Sequence, residues 1–292
     1  MEKIKLKYII LILFANSLIT LILPLASALI SKYLNKRYEI GFFNLTAIYS
    51  LILTLVIIFA IKLVSNKNYS SFGFKSINKK DLKITFYFFA FLFPIPLLGR
   101  LLDPSFDNWF ASLYNLGSFL SILYFLVNLP LFTIKEELIE RSLIQNYLSN
   151  HYNSFITILA ISINFAILHF FLIPNTLYHS FVTVLSVFLG SLIISSLYYL
   201  TKNVFLTILL HALYNIVVFL QIILHINNNL IGETILFIIW GILFLMSFSK
   251  VMKEIRPLFI AKKEKLRIFD YTFLIFFTIV FPIILLIASR YL

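Results

Sequence analysis

Residues 204–225 read VFLTILLHALYNIVVFLQIILH, without one Asp, Glu, Lys or Arg. As a helix rising 1.5 Å per residue this stretch extends about 33 Å, roughly the hydrocarbon thickness of a bilayer. Comparable apolar runs recur at 8–31, 42–64, 84–102, 117–135, 154–173, 180–201, 229–249 and 269–289. Within hydrocarbon the backbone must satisfy its own hydrogen bonds, and uniformly apolar runs of this length suit helices, not the alternating strands of a barrel. The expectation is an all-α, polytopic transmembrane helical bundle of eight or nine spans. It forms one integral membrane domain over 1–292, with its chemistry concentrated at about 70–225.

Composition agrees. Of 292 residues 61% are hydrophobic and only 12% charged, too apolar for a soluble domain of this size. The net charge of +12 comes from lysines and arginines in short clusters between apolar runs, where they fix topology, so nucleic acid is not expected as a partner. The absence of cysteine excludes a disulfide, a thiol nucleophile, Cys-ligated metal and prenylation of the chain itself. With the N-terminus cytoplasmic, all of the 24 lysines and arginines except Lys32, Lys36, Arg37, Arg100 and Arg290 fall on the cytoplasmic side of a nine-span chain. Ala26-Ser27-Ala28 resembles a signal-peptidase site, but the first run continues to Ile30, so an uncleaved anchor is expected. The bias toward Ile, Phe, Lys and Asn points to an AT-rich bacterial genome.

Ionisable or metal-ligating groups at membrane depth are costly and mark candidate sites. His151, His179 and His225 fall at span ends, where a solvated histidine is the plain reading. His169 and His211 lie inside spans. Phe165 precedes His169 by four residues and Asn215 follows His211 by four. Side chains four apart share a helix face, so His211 and Asn215 can address one metal ion, water or oxyanion. The same pair could instead hydrogen-bond neighbouring helices together.

The acidic element is Lys135-Glu136-Glu137-Leu138-Ile139-Glu140-Arg141, which continues the fourth apolar run with no glycine or proline to stop the helix. Glu137 stands four residues before Arg141, the favourable order for an ion pair, which leaves Glu136 free. A desolvated carboxylate without a partner is a candidate general base. The alternative is an interfacial charge cluster that marks topology. The turn Asn150-His151-Tyr152-Asn153 lies midway between Glu136 and His169. Each is about 16 residues, or about 24 Å of helix, from that turn, so the two are expected at similar depth in an antiparallel hairpin.

The order Glu136-Glu137-x-x-x-Arg141, Phe165-x-x-x-His169, His211-x-x-x-Asn215 resembles the signature of the CAAX protease and bacteriocin-processing enzyme family, also called the Abi family. The resemblance extends to Phe72-Gly73-Phe74-Lys75, Gly190, Tyr198 and Thr201-Lys202-Asn203, and covers roughly 70–220. Glu140 and Ser142 stand where the family often has an aromatic residue and a glycine. The resemblance implies a membrane-embedded peptidase with six catalytic residues: Glu136, Glu137, Arg141, His169, His211 and Asn215. Glu136 would activate water, Glu137 and Arg141 form a structural pair, and Asn215 donate to the oxyanion. His169 and His211 would act as ligands or electrophiles. Glu136, His169 and His211 could ligate Zn²⁺ with one position open, or orient water without metal.

Three functions compete. A peptidase would act from the cytoplasmic side on a hydrophobic peptide or membrane protein in the lipid bilayer. Bacteriocin processing or self-immunity would be its setting, because bacteria generally do not prenylate proteins in this way. A non-catalytic immunity or scaffold protein would bind a partner peptide without turnover. A transporter would need charges along a path through both leaflets, and the outer half offers only Glu233, near a span end.

Overall fold

The computed structural model describes residues 42–64, 69–103, 119–170 and 177–259. Every regular element among them is helical: α1 Phe42–Val64, a 3₁₀ turn Tyr69–Phe72, α2 Lys79–Phe91, α3 Pro94–Leu102, and α4 Phe119–Glu137. The chain of α4 runs on as a π-helix over Leu138–Gln145 and a closing turn Asn146–Leu148. There follow α5 Ser154–Phe170, α6 Leu177–Thr201, α7 Val204–Ile226 and α8 Leu230–Phe259. Seven expected spans thus fall on described helices, while 8–31 with its anchor reading, and 269–289, lie outside the described residues. Among the described residues four helical stretches are long and apolar enough to cross a membrane: Lys79–Leu102, Phe181–Thr201, Val204–Ile226 and Leu230–Phe259.

The expected span 84–102 is two helices, because Pro94 and Pro96 lack the N–H donors that a continuous helix would use. Leu92 N–H turns back to the carbonyls of Phe89 and Ala90, and Pro94 restarts the helix at its first position, where no donor is required. Asn78 starts α2: its Oδ1 accepts from Asp81 N–H at 2.8 Å, and its Nδ2 donates to Asp81 Oδ2 at 2.7 Å. Asn153 starts α5 in the same way, accepting from Ile156 N–H at 2.9 Å.

Two apolar cores flank the site. One joins α1 to the π-helix through Leu53, Ile57, Ile61, Leu138 and Ile139, and also takes in Tyr198 and Val204. The second packs Phe88, Leu92, Leu197, Leu210 and Trp240 of α2, α6, α7 and α8. α2 and α8 are zipped by aromatic rings, with Trp240 stacked 5.5 Å from Phe89 and Phe91 lying 5.5 Å from Phe244. Their outer faces, and that of α1, leave large apolar side chains bare, among them Phe59, Ile231, Ile239 and Leu245. Exposure on that scale suits lipid as solvent.

Candidate active site

The helix that carries the acidic cluster widens where the cluster ends. Leu138–Gln145 is π-helical, and all eight of its side chains are buried, polar ones included. Such local widening is frequent at functional sites. Its polar side chains, and that of Asn146 just after it, bond to three separate stretches of chain. Arg141 Nη2 donates to Ser191 Oγ at 3.2 Å, and Gln145 Nε2 to the Ser195 carbonyl at 2.7 Å. Ser142 Oγ donates to the Phe72 carbonyl and Asn146 Nδ2 to the Ser71 carbonyl, each at 2.6 Å. Glu140 is buried and accepts from Asn164 Nδ2 at 3.4 Å.

Glu137 is fully buried and uses both oxygens. Oε2 lies 3.2 Å from Arg141 Nε, as the spacing of four leads one to expect, and Oε1 accepts from His211 Nδ1 at 2.9 Å. Breaking a buried pair of this kind costs about 3–5 kcal/mol, since the surviving charge is left without compensation. One turn away the same two antiparallel helices touch again: Asn215 Nδ2 donates to Thr133 Oγ1 at 3.4 Å, and Thr133 in turn donates to the Leu129 carbonyl at 2.9 Å. α4 and α7 are therefore joined by two polar rungs, Glu137–His211 and Thr133–Asn215, spaced by four residues on both. Thr133 was not singled out by the motif; its signal in the sequence is its position four residues before Glu137.

Glu136 is half-buried and has no hydrogen-bond or ion-pair partner among the described residues. Symmetry about the turn at 152–153 pairs it with His169. The hairpin register agrees, since Glu140 and Asn164, symmetric about Tyr152, are in contact one turn nearer the bend. Phe165 ties these groups together. Its ring lies 4.5 Å from that of His169, 6.0 Å from that of His211 and 5.3 Å from the Arg141 guanidinium carbon. His169, His211 and Arg141 thus surround one buried phenyl ring.

The hydrogen bonds assign the imidazole protons. His169 Nδ1 faces the Phe165 carbonyl at 2.8 Å, and a carbonyl can only accept, so Nδ1 carries the proton. His211 Nδ1 faces a carboxylate oxygen with the same consequence. With Nδ1 protonated, Nε2 of an uncharged ring is an acceptor, held in orientation by the other nitrogen. Among the described residues, however, no three His, Asp or Glu side chains stand where they could hold a metal ion. The expected Zn²⁺ set of Glu136, His169 and His211 is therefore not assembled among the described residues. What the arrangement offers is a carboxylate without a partner among the described residues, two oriented imidazoles, and an amide donor one turn from His211.

A strap spanning 69–76 locks these helices at one end. Gly73, at φ +88°, offers its carbonyl to Val204 N–H at 2.9 Å, the first donor of α7. Asn203 caps that helix through Phe205 N–H and reaches the carbonyls of Lys75 and Ser76 at 3.2 and 3.3 Å. A β-carbon at residue 73 would come within 2.9 Å of Tyr198 Oη. Lys202, in the turn after α6 at φ 48°, donates to Ser149 Oγ at 2.9 Å and lies 4.2 Å from the centroid of Tyr199. Burial, and secondarily Lys75, push its amine down to about 8.

His151 is exposed, with Nδ1 on the Tyr147 carbonyl at 2.9 Å, and His225 Nδ1 lies 3.4 Å from Glu233 Oε2 at the far end of α7. Neither reaches the site, as their positions at span ends suggested; the side chain of His179 lies outside the described residues. Residues 118–217 match the family model described as type II CAAX prenyl endopeptidase Rce1-like. That stretch contains every one of the six expected site residues, together with Thr133, Phe165 and Ser191. No curated protein and no solved structure matches the chain.

Proposed function

From the premise that residues 118–217 form an Rce1-like segment, from a CAAX protease family of hydrolases, we propose a glutamate-dependent intramembrane endopeptidase. Glu136 is the general base that takes a proton from water. His169 and His211 orient that water, whose O–H groups their Nε2 atoms can accept. Glu137 and Arg141 hold His211 and the π-helix in place, and Asn215 donates to the oxyanion that develops as water adds. The observation that carries this reading is the division of labour between neighbouring carboxylates. Glu137 is engaged by His211 and Arg141, while Glu136 has no hydrogen-bond or ion-pair partner among the described residues.

The substrate we infer is a hydrophobic peptide or membrane protein that approaches from the end bearing Lys75, Lys79, Lys202, Lys250 and Lys253, read as cytoplasmic. His211 lies about 10 Å along α7 from that end. The bacterial composition supports bacteriocin processing or self-immunity as the setting. Catalysis and core together occupy about 70–225 of a single membrane domain.

The test is Glu136→Ala at equal membrane level, compared with wild type for host phenotype and for precursors that accumulate in the membrane proteome. Loss of the phenotype together with accumulation of a precursor supports the peptidase and names its substrate. Retention of the phenotype would transfer the function to a non-catalytic immunity or scaffold protein that binds its partner peptide.

A further inference from the structure

The seam between α2–α3 and α8 carries charge at both rims, and the rims are built differently. At one, Arg100 Nη1 lies 3.0 Å from Glu233 Oε1 with its guanidinium 5.0 Å from the centroid of Phe237. At the other, Lys250 Nζ donates to Tyr87 Oη at 3.1 Å and stands 4.4 Å from the centroid of that ring, while Lys83 Nζ lies 5.9 Å from the same centroid. Neither ammonium has a carboxylate within ion-pair distance among the described residues.

From Glu233 to Lys250 is seventeen positions of one helix, about 26 Å of rise. That is close to the roughly 30 Å of bilayer hydrocarbon, and the ring contacts of Phe93, Trp240, Phe91 and Phe244 fill the interval. The two rims therefore stand at the two headgroup levels, where Tyr and Lys side chains concentrate. At the first rim the cation is neutralised from within the protein. At the second, two like charges converge on one phenol, an arrangement that an anion between them stabilises. Tyr87 Oη already accepts from Lys250, so its own proton is available to that anion. Phe86 and Phe248, exposed on the same two helices, offer an apolar wall on which acyl chains can lie.

We propose that Lys83, Tyr87 and Lys250 bind the phosphate of an anionic phospholipid from the bilayer. The site is remote from Glu136 and does not depend on the peptidase reading. Lipid retention is measured on the full chain in detergent by native mass spectrometry, with phosphatidylglycerol and phosphatidylcholine as probes. Wild type should retain phosphatidylglycerol selectively. Lys83→Gln with Lys250→Gln should weaken it about 25-fold, or about fivefold for each charge removed. Lys79→Gln with Lys253→Gln removes the same charge at the same end and should weaken it no more than about twofold. Unchanged elution and melting temperature establish that both variants fold. Equal weakening in the two variants would overturn the site in favour of a diffuse surface potential. Wild-type retention of both lipids alike would also overturn it, as would displacement of the lipid by millimolar inorganic phosphate.

Discussion

Glu137 and His211 meet at 2.9 Å across antiparallel helices, and the other oxygen of the same carboxylate lies 3.2 Å from Arg141. One buried side chain therefore fixes both the helix that bears Glu136 and the helix that bears the second histidine. Glu137→Ala should lose activity and about 3–5 kcal/mol of stability, because Arg141 is left buried without its counter-charge. Glu136→Gln should lose activity with a melting temperature close to wild type. Thermal unfolding in detergent beside peptide cleavage separates the two. Equal destabilisation by both variants would remove the distinction between base and brace.

Asn215 and Thr133 give a second contrast. Side-chain hydrogen bonds between membrane helices average about 0.6 kcal/mol, so neither Thr133→Val nor Asn215→Ala should shift stability far. Removing one oxyanion donor costs about 10²–10³ in kcat. Asn215→Ala should show that loss and Thr133→Val only a small part of it. Equal small losses in kcat would reduce Asn215 to a packing residue.

At Gly73 the backbone is left-handed, and a β-carbon would collide with Tyr198 Oη and stand 3.2 Å from Val204 N. Gly73→Ala should cost about 1–3 kcal/mol. Tyr198 Oη has no hydrogen-bond partner among the described residues, so Tyr198→Phe alone should be close to neutral. Combined with Gly73→Ala it should recover part of the loss, as a double-mutant cycle of unfolding free energies would record. Full additivity would place the strain on the backbone alone.

Lys202 gives a pH dependence. Its amine is depressed from 10.5 to about 8 by burial first and Lys75 second, so between those values the unfolded chain binds more protons than the native one. Stability should therefore rise with pH from about 8 to about 10.5, the penalty being fully present below 8. Lys202→Met should flatten that part of the stability profile measured from pH 7 to 10.5. An unchanged slope in the variant would assign the rise to another group.

Local periodicity made much of this site legible. The i,i+4 relation of Glu137 to Arg141 depends only on helix geometry, and the similar depth of Glu136 and His169 only on the length of one hairpin. Other features were not legible because they are set by contacts distant in the chain. The partner of His211 is Glu137, not Glu136, and it is chosen by the packing of α7 on α4 across 74 residues. The burial of Glu140 against Asn164 and of Ser142 on the Phe72 carbonyl follows from the π-helix, which no residue pattern in 138–145 announces.

The sequence by itself determined an all-helical protein with lipid as its solvent, since hydrocarbon leaves apolar runs of this length no other way to satisfy their backbone. It also determined which polar residues stand at membrane depth, because charge and hydrogen-bonding capacity are properties of side chains. Only the tertiary structure decided that Glu137, and not its neighbour Glu136, meets both His211 and Arg141. A helix turns about 100° per residue, so neighbours on one chain face different partners, and the packing of separate helices selects between them.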